Sequence, residues 1–84
     1  MVTKTVTITN QVGLHTRPAT FFIQKANSFK CSVLIEKNER RANAKSLLGV
    51  LSLGISMDDV VSIITDGVDE LEAADGLVDL IMNI

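Results

Sequence analysis

The chain opens on Val2-Thr3-Lys4-Thr5-Val6-Thr7-Ile8-Thr9, an apolar–polar alternation rich in β-branched residues. That pattern predicts a half-buried strand. Asn10-Gln11-Val12-Gly13 breaks it, and from Thr16 the period changes. Ala19, Phe22, Ile23, Ala26 and Phe29 recur at helical spacing and share one face. Pro18 is compatible only with the first turn, where its missing N–H costs nothing, so the helix starts at about residue 15 or 16. Cys31 to Glu36 alternates again, with Cys31, Val33 and Ile35 on one side. Lys37-Asn38-Glu39 reads as a turn into a short polar strand, Arg40 to Ala44. Ser46 is a good N-cap for a short helix bearing Leu47, Leu48, Val50 and Leu51, which Gly54 ends. Val60 to Thr65 is a strand, Asp66-Gly67 a turn, and Asp69 begins a last helix. Its expected apolar stripe is Leu71, Ala74, Val78 and Ile81, with Gly76 a weak point inside it.

The order is β-α-β-β-α-β-α. Three amphipathic helices and four half-apolar strands must hide their apolar sides on one another. The simplest arrangement is an α+β two-layer sandwich, an antiparallel sheet covered on one face by helices. At 84 residues the chain is one domain, 1–84, with a single core.

Composition narrows the function. Hydrophobic residues make up 46% and charged residues 21%, as in ordinary globular proteins. Aromatics are only 4%, which argues against stacking on bases or sugars. One Cys and one His make neither a disulfide nor a metal site, so no metal or other cofactor is expected. Met1 to Thr5 lacks a signal peptide's apolar region, and no apolar run approaches membrane-spanning length. A cytoplasmic protein without membrane insertion is expected. Net charge is −2, unevenly spread. Residues 1–45 hold all eight basic residues against Glu36 and Glu39, whereas residues 46–84 hold eight acids and no base. Either this polarity steers an anionic partner, or the halves interleave and the fields mostly cancel.

The chemistry concentrates in Gly13-Leu14-His15-Thr16-Arg17-Pro18-Ala19. His15, the only histidine, stands where the first helix begins. There the first N–H groups lack intrahelical partners and the positive end of the helix dipole faces outward, a setting that binds phosphate. Arg17 adds a permanent cation whose fork suits phosphoryl oxygens, and Thr16 between them is the expected phosphate-supporting residue. Phosphoryl transfer needs mostly positioning and charge stabilisation, so a nucleophile, a cation and free donors suffice for a minimal acceptor site.

This motif, with Ala44-Lys45-Ser46-Leu47-Leu48-Gly49-Val50-Leu51-Ser52-Leu53-Gly54 downstream, closely resembles the HPr family, the histidine-containing phosphocarriers of the bacterial sugar phosphotransferase system. The resemblance covers essentially the whole chain. It implies an open-faced β-sandwich of a four-stranded antiparallel sheet and three helices. It also implies that enzyme I, charged from phosphoenolpyruvate, phosphorylates Nδ1 of His15, and that His15 passes the group to enzyme IIA proteins. Arg17 would stabilise the phosphohistidine. Ser46 would be the target of an ATP-dependent HPr kinase/phosphorylase, its phosphorylated form a corepressor for the catabolite control protein. Such a protein is a carrier rather than an enzyme. Val12 departs from the family in a loop position that is often polar.

Capping alone also accounts for Ser46. Phe21 shares a helix face with Arg17 and Gln24, and Leu47, Leu48 and Leu51 exceed what one short helix can hide. Thr20, Phe21 and Gln24 together with Leu47, Leu48 and Leu51 therefore form the expected docking surface, rimmed by Lys25 and Lys45, of a monomeric carrier. An RNA-recognition fold shares the element order, but Arg40-Arg41-Ala42-Asn43-Ala44 lacks the aromatics it needs, and no nucleic-acid partner is expected. A purely regulatory paralogue, acting as a corepressor, would lack a phosphorylatable histidine. A nitrogen-branch phosphocarrier would look the same in sequence.

Overall fold

The alternating segments become strands and the helical-period segments become helices in a computed structural model that describes all residues, Met1–Ile84. In chain order these are β1 (Val2–Thr7), α1 (Thr16–Asn27), β2 (Ser32–Lys37), β3 (Arg40–Asn43), α2 (Leu47–Ser52), β4 (Val60–Asp66) and α3 (Glu70–Asn83). The strands form one antiparallel sheet in the order β1-β4-β2-β3. Register pairs Val6 with Val61 and Ile35 with Ile63, and all four are buried in one core with Phe22, Leu77 and Ile81. The other face stays open. There Thr5, Ser62, Glu36 and Arg41 lie in a cross-strand row, with Thr5 hydrogen-bonded to Ser62 and Arg41 ion-paired to Glu36. This is the α+β open-faced sandwich.

Strand β4 comes from the acidic half of the chain and lies between β1 and β2 of the basic half. Lys4 pairs with Asp75, Lys37 with Asp59, and the N-terminal ammonium with Glu70. These pairs join the two halves, while Asp69, Glu70, Glu72, Asp75 and Asp79 stay together at the start of α3 and along it.

Several local expectations shift. β1 stops at Thr7, yet Ile8 is fully buried, exchanging backbone hydrogen bonds with Asp58 and Asp59. β2 begins at Ser32 because the Cys31 N–H donates to the Asp69 carboxylate instead of a neighbouring strand. The α3 stripe is Ala73, Ala74, Leu77 and Ile81, with Val78 half-buried, and Leu71 is exposed. α3 packs on both the sheet and α1, so its buried sector faces the angle between them and Leu71 points away. Gly76 is a packing position rather than a weak point: a Cβ there would sit 3.2 Å from Lys25 Cε and 3.4 Å from Phe29 Cζ. Phe29 lies beyond the end of α1, half-buried, with the Lys25 ammonium 5.7 Å from its ring centre.

Candidate functional site

The turn before α1 is closed by its own polar groups. The Asn10 side-chain amide donates to the Gly13 carbonyl at 2.8 Å, and the Gly13 N–H donates to the Asn10 carbonyl at 3.3 Å. Gly13 has φ +63°, and a Cβ at that position would lie 2.3 Å from the Ile55 carbonyl oxygen. Only glycine meets both conditions. The Leu14 N–H then donates to that same carbonyl at 3.1 Å, and the Leu14 side chain is buried. The backbone entering His15 is thus seated on the segment that follows α2.

His15 is the N-cap of α1, with extended backbone (φ −86°, ψ −159°), and its carbonyl accepts from Ala19 at 2.8 Å. His15 is exposed, and its imidazole makes no capping bond. The first turn is Thr16-Arg17-Pro18, with Pro18 buried. Proline brings no N–H, which leaves the Thr16 and Arg17 N–H groups as the free donors of this helix end. The first turn carries no acidic residue, and Arg17 is exposed and outside every ion pair. An exposed imidazole, an uncommitted guanidinium and two unpaired N–H donors share one helix start. That arrangement can accept and hold a phosphoryl group.

Ser46 caps α2 as expected, its Oγ accepting from the Gly49 N–H at 3.2 Å and its carbonyl from Val50 at 3.0 Å. Ser46 is half-buried, not free on the surface. The Asn27 amide at the C-terminal end of α1 donates to the Lys45 carbonyl at 3.2 Å, and the Lys45 ammonium donates to the Phe29 carbonyl at 2.8 Å. The start of α2 therefore lies beside the end of α1, whereas Ile55, beyond α2, lies beside its start. The two helices run antiparallel, with His15 and Ser46 at opposite ends of α1.

α1 and α2 pack side by side. Thr20, Phe21 and Gln24 are exposed on α1, Phe21 to 51%. On α2 Leu48 is 81% exposed and Leu47 42%. Leu51 departs from the expectation: it is only half exposed and packs against the core, because the sheet-facing side of α2 carries Val50 and Leu51 together. Val12 is exposed in the turn before His15 and brings no polar group to it.

Sequence reasoning missed Lys37 and Asp59. The Lys37 ammonium donates to the Gly54 carbonyl at 2.8 Å and pairs with Asp59 at 2.8 Å, and Asp59 accepts from the Ser56 N–H at 2.8 Å. Together they fix the segment on which Gly13 and Leu14 lean. No local pattern announces such a pair, whose members lie in different halves of the chain. Lys37 reads as a turn residue in sequence, whereas in the fold it ends β2.

Comparison with known proteins agrees with this geometry. The family model described as the PTS HPr component phosphorylation site matches residues 2–83. The HPr-like protein Crh of Halalkalibacterium halodurans is 42% identical over 78 residues, covering 93% of each chain. The phosphocarrier protein HPr of Neisseria meningitidis is 41% identical over 81 residues, covering 96% of this chain and 91% of that one. Among solved structures, HPr-C-His from Thermoanaerobacter tengcongensis superposes with a TM-score of 0.97 at 44% identity, covering 99% of this chain and 93% of that one. An HPr dimer from the same organism gives 0.79 at 45% identity, covering 93% and 90%. With the helix-start histidine, the open-faced sandwich and a family match along nearly the whole length, the chain belongs to the HPr family of phosphocarrier proteins.

Proposed function

We propose that this chain is a phosphocarrier of sugar uptake, taking a phosphoryl group from enzyme I onto His15 and delivering it to enzyme IIA proteins. The observation that carries this reading is the exposed His15 side chain at a helix start whose donors and neighbouring Arg17 are uncommitted. A ring nitrogen attacks phosphorus, the P–N bond forms as the donor's bond to phosphorus breaks, and charge spreads over three phosphoryl oxygens. Arg17 and the Thr16 and Arg17 N–H groups neutralise those oxygens without moving. The P–N bond is itself labile, and the exposed helix start leaves the group open to the next acceptor. The reaction then runs in reverse onto the next acceptor, so the chain carries the group and has no turnover of its own.

The α1–α2 face, with Phe21 and Leu48 exposed on it and Arg17 uncommitted at the start of α1, suits docking by an acidic partner. Lys25, by contrast, turns towards Gly76 and Phe29, and the Lys45 ammonium is tied to the Phe29 carbonyl. The face serves a cytoplasmic carrier that works as a monomer. The HPr dimer among the structural relatives makes sedimentation at working concentration the check on that state. A regulatory role is added through Ser46, by an HPr kinase/phosphorylase and the catabolite control protein, and a structural relative described as the Bacillus subtilis catabolite repression HPr favours it. A purely regulatory protein would need no acceptor, and His15 is present.

The test is a two-step transfer. Phosphoenolpyruvate and enzyme I should label the chain, and added enzyme IIA should discharge it. A labelled chain that no IIA discharges would contradict the carrier reading, and an unlabelled chain would remove it.

A further inference from the structure

The segment between α2 and β4 is the floor of the His15 turn. Gly13 lies against the Ile55 carbonyl and Ser56 Cα, and the Leu14 N–H donates to that carbonyl at 3.1 Å. This floor has little regular structure. It includes Gly54 at φ +59° and Asp58 at φ +74°, a conformation that costs a non-glycine residue free energy. Something must hold it. Ile55 is buried, but the polar restraint comes from two side chains. The Lys37 ammonium reaches across from the end of β2 to the Gly54 carbonyl at 2.8 Å and to Asp59 Oδ2 at 2.8 Å. The same Asp59 carboxylate accepts from the Ser56 N–H, while the Asp59 backbone carbonyl accepts from Ile8. Gly54, Ser56 and Asp59 are thereby pinned on either side of Ile55. The side chains of Lys37 and Asp59 are only 19% and 29% exposed, so water competes weakly for the pair.

We propose that the Lys37–Asp59 ion pair is a positioning device for phosphoryl transfer, fixing the Ile55 carbonyl against which the Gly13–Leu14 backbone aims His15. The inference rests on His15 being the phosphoryl acceptor. Neither side chain touches the phosphoryl group. The pair acts through three links: Lys37–Asp59 to Gly54 and Ser56, Ile55 to Leu14, and Leu14 to His15. The Lys37 ammonium and the Ser56 N–H hold the Asp59 carboxyl below its ordinary value, so the pair is charged at neutral pH. Misplacing an attacking atom by a fraction of an ångström slows transfer without changing how a partner docks. Docking belongs to the α1–α2 face, and Lys37 lies at the end of β2.

The experiment compares the parent protein with Lys37→Ala, Lys37→Arg and Asp59→Asn. Two readouts are taken on each: amide hydrogen exchange at Leu14 and at Ile63 in the central strand, and kcat and KM for labelling by enzyme I. In Lys37→Ala and Asp59→Asn, Leu14 should exchange about tenfold faster than in the parent, Ile63 should not, and kcat should fall about tenfold at unchanged KM. Lys37→Arg, which keeps the cation, should recover most of kcat. Unchanged kcat in Lys37→Ala overturns the proposal, as does a loss of kcat matched by equal acceleration at Leu14 and Ile63, which marks general loosening. A parent protein that takes no label defeats the acceptor reading instead, and it does so before any variant is compared.

Discussion

Arg17 offers its guanidinium beside two unpaired N–H groups and is bound to no carboxylate, so little of the fold depends on it. Its planar fork can bridge two phosphoryl oxygens, which an ammonium cannot. Arg17→Lys should therefore slow labelling of His15 about tenfold or more while moving the thermal midpoint by less than about 3 °C. Rapid-quench labelling and thermal denaturation check the two halves separately. This part of the site was legible in sequence because all its members are consecutive and Pro18 fixes where the helix must start. The Ser46 cap was legible for the same local reason. Lys37 and Asp59 were not, since an ion pair formed across the fold leaves no periodic trace.

Among the elements, α2 divides its leucines between two tasks. Leu48 stands in solvent and Leu51 leans on the core. Leu48→Ala should cost less than about 0.5 kcal/mol of stability yet weaken enzyme I binding about tenfold, whereas Leu51→Ala should cost about 1–2 kcal/mol. Urea denaturation and titration calorimetry separate the two. The last helix is tied differently. Asp69 precedes α3 but caps the loop before β2 instead of its own helix, its carboxylate accepting from the Lys30 and Cys31 N–H groups at 2.8 and 2.9 Å. Those donors, Lys30 first, hold its carboxyl below the ordinary value. The folded state then binds fewer protons than the unfolded one in acid, so Asp69 adds stability that is present above about pH 4 and is lost as pH falls through its lowered value. Asp69→Asn should be less stable than the parent at pH 7, and the gap should narrow below pH 4, as followed by urea denaturation across pH. The same helix shows where periodicity misleads. A helix this rich in apolar residues offers more than one plausible stripe, and its joint packing on the sheet and on α1 decides that Leu77 goes in and Leu71 out.

Across the whole molecule, the Lys4–Asp75 and Lys37–Asp59 pairs join the basic and acidic halves, while Asp69, Glu70, Glu72, Asp75 and Asp79 gather at the start of α3 and along it. The layer order was legible because four alternating and three helical-period segments leave few ways to cover their apolar sides, whereas the pairing of charges depended on where α3 and the loop before β4 come to lie. Ser46 and His15 lie at opposite ends of α1, so a charge at one reaches the other mainly through a partner that spans both. Ser46→Asp retains a capping oxygen and should keep stability within about 0.5 kcal/mol. It should nonetheless slow labelling by enzyme I at low salt. The gap should close towards 1 M salt, where screening acts within about 3 Å. Equal rates at both salt levels would leave Ser46 a cap and nothing more.

His15 as the phosphoryl acceptor stands or falls on where the phosphate is found. The parent and His15→Ala are each incubated with phosphoenolpyruvate and enzyme I, their folding is checked by far-ultraviolet circular dichroism, and the acid-labile phosphate is mapped by mass spectrometry at neutral pH. Because His15 is exposed and caps no backbone group with its ring, the variant should fold as the parent does. The parent should carry one phosphate on the peptide containing His15, and the folded variant should carry none. Full labelling of folded His15→Ala, or a parent phosphate mapped to any other residue, would rule His15 out as the acceptor.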